Sequence, residues 1–162
     1  MWFFMIICYL LSFLTLACFT ASGLQGIFGF HLLGANHPTF AFLTTIIYLF
    51  TESLVIFFFV GTGISIKEYV QEHKPQDDFV ARAKVFKRRL TPAIMLNISL
   101  FLGQAIAGGA TAAQSIPSWA HGAAAALTYG HFLYLLLLQH RSFRENTAIV
   151  LDMTADVRAD HP

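Results

Sequence analysis

The chain has 162 residues, 56% of them hydrophobic and only 12% charged, with a net charge of +1. Soluble domains carry roughly twice that share of charge, and a mean hydropathy of +0.62 points away from a soluble domain and towards a polytopic membrane protein. Two cysteines, Cys8 and Cys18, sit roughly 15 Å apart along one helix, too far to pair with each other, and no zinc-type spacing occurs.

Residues 1 to about 22 form an uncharged run of spanning length. A signal peptide would have a basic start and a shorter apolar core, so a retained helix is expected, although Thr15-Leu16-Ala17-Cys18 faintly resembles a lipoprotein processing box. Residues 23–37 hold four glycines and no charge. They read as an apolar loop that lies in the outer interface, folds back on the bundle or is covered by a partner.

The second span covers 38–66 and contains Glu52, the one formally charged side chain of the first 66 residues. A carboxylate at bilayer depth costs at least a few kcal/mol, so it must be protonated, paired or facing water. Lys74-Pro75-Gln76-Asp77-Asp78 breaks the chain, and Asp77 or Asp78 is placed to cap the next helix. Phe79, Ala83, Phe86 and Leu90 then recur at helical spacing, with Arg82, Lys84, Lys87, Arg88 and Arg89 on the other directions. This pattern predicts a short amphipathic interfacial helix whose Lys84, Lys87, Arg88 and Arg89 meet lipid headgroups. Nucleic-acid binding is a poor rival, because the segment is tethered to a bilayer and has no recognition fold.

A third span begins at Thr91-Pro92 and runs to about residue 112, and a fourth covers 118–139, with Trp119 at an interface. Residues 141–162 form a tail with near-helical apolar spacing. The expected fold is therefore all-α: a single domain over 1–140 with four transmembrane helices in an antiparallel bundle, and a cytoplasmic tail. All ten Lys and Arg lie within 67–89 or after residue 140. The positive-inside rule then places both termini in the cytoplasm, and the plasma membrane is the expected location.

Read at 100° per residue, each span shows one polar or small-residue stripe. These are Cys8, Ser12, Thr15, Phe19 and Ser22; Thr45, Tyr48, Glu52, Val55, Phe59 and Gly63; Asn97, Phe101, Gln104, Gly108 and Thr111; and His121, Ala124, Thr128 and His131. A further seam, Gly122, Ala126 and Gly130, suits close packing against Gly103 and Ala107. Glu52 and His131 each lie fourteen residues beyond an outer proline, Pro38 and Pro117. The expected site is thus a buried Glu52–His131 pair, with Tyr48, Thr128, Gln104 and Asn97 as hydrogen-bond neighbours. Its bland counterpart is a packing clamp that only fixes helix register.

At the outer end His31, His37 and His121 are the titratable groups, and imidazoles from two helices can ligate a b-type haem iron. They serve equally as interfacial polar tips. His73, His140 and His161 lie among charges and read as solvated. No phosphate loop, HExxH, GxSxG or Cys-x-x-Cys occurs. The expected function is a small integral subunit or accessory protein of a larger membrane complex, or a homo-oligomer. On this reading its Glu52–His131 site serves as a proton relay, a quinone site or a docking point. A haem-binding electron-transfer anchor and a small proton-coupled transporter are the alternatives, and an intramembrane enzyme ranks last.

Overall fold

A computed structural model describes residues 2–75 and 78–160. Among these, all regular structure is helical: α1 (Trp2–Phe28), α2 (His37–His73), α3 (Phe79–Ala112) and α4 (Ser118–Asp160). Each helix is long and apolar enough to cross a membrane. At 1.5 Å per residue they measure about 40, 55, 51 and 65 Å, against a hydrocarbon layer of about 30 Å. The last three therefore outrun any span, and, Glu52 apart, their charged residues fall within 67–89 or after residue 140.

Local sequence sets most of the boundaries. Asn36 caps α2, its Oδ1 accepting from the Thr39 N–H at 3.2 Å, and Pro38 occupies the first turn. Lys74 ends α2 in the left-handed region, φ 48°, with Pro75 behind it. Asp78 caps α3 through Ala81 N–H at 2.8 Å; the alternative cap, Asp77, lies outside the described residues, as do Gln76 and His161.

The connection between α1 and α2 is shorter than the glycines suggest. α1 runs through Gly23 and Gly26, because glycine is tolerated in apolar helices whose neighbours pack well. Only 29–36 is non-helical, closed by a Leu32–Ala35 bridge over a tight turn with Leu33 and Gly34 at positive φ. Buried Gln25 holds this connection against α1, its Nε2 donating to the carbonyls of Phe30 and Ala35 at 3.3 and 3.1 Å.

The amphipathic segment is not a separate helix. α3 is continuous through Pro92, and its buried residues Phe79, Ala83, Phe86, Leu90, Ile94, Asn97, Phe101 and Gln104 form one unbroken stripe. That packing on both sides of the proline holds the helix across the missing N–H. Residues 141–160 likewise continue α4, with Ser142, Phe143, Asn146 and Ile149 buried. At this end Arg82 pairs with Asp152 at 2.7 Å. Both side chains are about half exposed, so the pair contributes little, about 0–1 kcal/mol.

α1 packs mainly on α2, α2 on α3, and α3 on α4, while α1 touches α4 through few residues. His37 meets His121, Tyr48 meets Phe132 and Phe59 meets Phe143. The sequence separation is constant, so α2 and α4 run in the same direction. The expected small-residue seam does not form: Gly103, Gly122 and Gly130 have no neighbour within 4 Å of an added Cβ, and Ala126 is exposed. Where α3 and α4 do meet closely, Gly108 receives the His121 ring instead.

Candidate functional site

Two polar clusters lie one above the other in the bundle interior, on residues a single turn apart along α2. The upper cluster is built on Tyr48, whose ring stacks on Phe101 at 4.0 Å between centroids, with 5° between planes, and meets Phe132 edge-on. Aromatic packing of this kind fixes the ring, and its hydroxyl donates to Asn97 Oδ1 at 2.8 Å. Asn97 Nδ2 lies 2.9 Å from His131 Nδ1 and 3.4 Å from the carbonyl of Thr128. Thr128 in turn donates to the carbonyls of Ala124 and Leu100 at 2.8 and 3.2 Å.

This connectivity assigns the His131 tautomer. The Tyr48 hydroxyl on one side and the Thr128 carbonyl on the other orient the Asn97 amide, so Nδ2 is the donor to His131. Nδ1 is therefore the acceptor, and the neutral ring carries its proton on Nε2. His131 is half-buried and Nε2 has no hydrogen-bond partner among the described residues. A donor is thus offered near exposed Tyr134, whose ring centroid lies 5.8 Å away.

The lower cluster holds Glu52, which is fully buried. Gln139 of α4 donates to its Oε2 at 2.7 Å, while Glu52 Oε1 and Gln139 Oε1 are both buried without a partner. No ion pair reaches Glu52 among the described residues. The direct Glu52–His131 contact expected from the sequence is not formed: Glu52 takes Gln139, and His131 takes Asn97. The reason is register. His37, not Pro38, sets the level of α2 against α4, and it meets His121, a helical turn past Pro117. Glu52 therefore lies nearer to Gln139 than to His131. Of the expected neighbours, Tyr48, Asn97 and Thr128 join His131. Gln104 is buried but makes no hydrogen bond among the described residues.

Gln139 was missed because a span of ordinary length ends there. The signal was present, since Thr128, Phe132, Leu135, Gln139, Ser142 and Asn146 continue one helical stripe. Asn146, fully buried with both polar side-chain atoms unpartnered, belongs to the same row. α1 supplies the remaining wall: Thr15 hydrogen-bonds Thr51 at 3.0 Å, and the Thr51 hydroxyl donates to its own Ile47 carbonyl.

At the uncharged end, the His37 and His121 rings approach to 6.3 Å between centroids, tilted by 55°. Each is seated against a glycine, His37 on Gly26 and His121 on Gly108, and each Nδ1 is buried without a partner, as is Thr111 Oγ1 nearby on α3. His31 is exposed in the 29–36 connection. A methyl at Gly108 would stand 3.1 Å from His121 Cε1. Gly108→Ala is therefore expected to displace that ring at a cost of about 1 kcal/mol, read by thermal unfolding in micelles. An unchanged midpoint would show that the imidazole moves freely.

At the charged end, Lys84, Arg88 and Arg89 are exposed, whereas Lys87 is half-buried, with its ammonium end folded against Gly63 of α2. Burial, with Lys67 nearby, holds the Lys87 amine below its usual range. His140, expected to be solvated, is exposed but bonded through Nδ1 to the Tyr9 hydroxyl at 2.9 Å. His73 stacks on Tyr69. A mostly apolar cavity of about 420 Å³ opens beside Phe4, Phe58, Thr62 and Met153 and touches none of the site residues.

Fold and site together define a four-helix protein, able to span a membrane, with an interior polar column centred on one carboxyl. No protein-family model, curated protein or solved structure matches the chain.

Proposed function

We propose that this is a small integral membrane protein, a subunit or accessory chain of a larger membrane complex, in which Glu52 takes up and releases a proton inside the bundle. The helices then form an antiparallel bundle in the plasma membrane, with the charged end and both termini in the cytoplasm. The supporting fact is that every Lys and Arg lies within residues 67–89, at the junction of α2 and α3, or beyond residue 140. Lys84, Arg88 and Arg89 then meet lipid headgroups, each adding about 1 kcal/mol of attraction to an anionic surface.

One observation carries the functional reading: a fully buried carboxyl held by one neutral amide, with its second oxygen unpartnered. Ionised, the pair leaves two acceptor oxygens orphaned, one on each side chain. A proton on Glu52 turns one of them into a donor, which is how interior carboxyl groups become proton-exchanging sites. A continuous relay to His131 is not supported, since Asn97 stands between Tyr48 and His131, and an amide does not pass a proton on. Glu52 and His131 act as separate stations.

A second reading is favoured by His131 itself. Its free Nε2–H on a half-buried face suits the carbonyl oxygen of a lipid-soluble quinone. The exposed faces of all four helices, among them Phe13, Phe42, Phe57 and Ile106, suit lipid or partner subunits.

The test is infrared spectroscopy of the reconstituted protein at neutral pH. The expected result is the carbonyl band of a protonated carboxyl that disappears in Glu52→Gln. Its absence from the wild type sinks the proton-exchange reading. A Soret band in the purified protein would instead move the assignment to a b-type haem at His37 and His121.

A further inference from the structure

The α1 and α4 backbones approach closely at few points, and between their side chains lies a cavity of about 210 Å³ lined by Tyr9, Ser12, Leu16, Gln139, His140 and Phe143 among others. Three features of this cavity are polar. Gln139, the residue that holds Glu52, forms part of its wall, with an unpartnered buried Oε1. Ser12 contributes a hydroxyl with no hydrogen bond among the described residues. Tyr9 and His140, both exposed, are joined by their 2.9 Å hydrogen bond. A single water needs only about 10–15 Å³ of such space and two to four polar partners, so the volume is ample and the Ser12 and Gln139 groups offer partners beside the carboxyl.

We propose that this cavity is the water-filled route by which protons reach Glu52, with the Tyr9–His140 hydrogen bond as its rim and the Gln139 amide as its inner door. The proposal rests on the reading of Glu52 as a proton-exchanging group. A hydronium in the cavity gives its proton to the Glu52 carboxylate when the Gln139 amide swings aside, leaving water and a neutral carboxyl. Release is the reverse step. Gln139 suits a door because its side chain is shared: it lines the cavity, and it also makes the single hydrogen bond to the carboxyl. The apolar remainder of the lining, including Phe13 and Leu136, keeps the water file narrow.

The experiment follows the Glu52 carboxyl band of the full-length protein in liposomes after transfer to heavy water, where exchange shifts the band. Leu16→Trp and Ser12→Leu fill the cavity and are expected to slow the shift about tenfold or more, since exchange then waits for local opening. Val150→Phe, in the separate larger cavity, is expected to leave the rate unchanged. Tyr9→Phe adds no volume and frees the rim, so faster exchange is expected; if the filled variants do not fold, this rate alone decides. Wild-type rates in Tyr9→Phe and in whichever filled variants fold would overturn the route while leaving the carboxyl band, and so the functional reading, standing. Absence of the band in the wild type removes both.

Discussion

Gln139→Leu is expected to destabilise the protein by about 1–3 kcal/mol, because it leaves the fully buried Glu52 carboxyl with no hydrogen-bond partner at all. The loss reflects the desolvated group left behind more than the bond itself. Glu52→Leu in the same background should therefore recover much of it, since replacing both partners by apolar side chains is close to neutral. Glu52→Gln should cost little in stability, since one amide can bond another, while abolishing the protonated-carboxyl band. The measurement is a double-mutant cycle on unfolding in mixed micelles. Interhelical polar pairs in membranes average only about 0.6 kcal/mol of coupling, because alternative partners are found. A coupling above about 1 kcal/mol marks Gln139 as the partner that matters. A coupling near zero would mean that water already serves Glu52, and the amide would lose its place in the site.

The interior of α1 was legible in the sequence residue by residue. Cys8, Ser12, Thr15, Phe19 and Ser22 stand on one stripe, and all five are buried. A helix in lipid hides its polar and small groups, so the stripe is read without knowing what it packs against. The same logic placed Tyr48, Glu52, Asn97 and Thr128 inside. Which of them touch is a different question, because contact depends on how far each helix slides along its neighbour. No rule of periodicity carries that information. Levelling Pro38 with Pro117 paired Glu52 with His131; the His37–His121 contact shifts α4 by about one turn and gives Glu52 to Gln139.

Helix ends were the other weakness, for one physical reason. Spans were closed at membrane length, whereas α2, α3 and α4 continue as one rigid stripe well beyond it. Gln139, Ser142 and Asn146 then fell into a boundary or a tail, although all three are interior. Glycine misled in both directions. Gly23 and Gly26 sit inside α1, and Gly122 and Gly130 form an open face. The glycines that admit a close neighbour are those opposite a side chain of another helix, Gly26 under His37, Gly108 under His121 and Gly63 under the end of Lys87. A seam of small residues reports that an approach is possible, and the partner's bulk decides whether it occurs.

The largest loss is expected from Asn97→Ala, about 2–5 kcal/mol. Asn97 is fully buried and joins three groups, the Tyr48 hydroxyl, the Thr128 carbonyl and His131 Nδ1. Truncation opens a void and orphans the hydroxyl and the ring nitrogen together, which places it among the few severe classes of substitution. Tyr48→Phe keeps the stacked ring on Phe101 and removes one hydroxyl, so its cost should stay near 1–2 kcal/mol. Nitrogen-15 spectra of the histidines give an independent reading. The wild-type His131 ring should show its proton on Nε2, and the alanine variant should show a mixture, because nothing then donates to Nδ1. Equal losses for the two variants, with the His131 tautomer unchanged, would reduce Asn97 to a spacer. The presentation of an Nε2–H donor, on which the quinone reading depends, would then need a different origin.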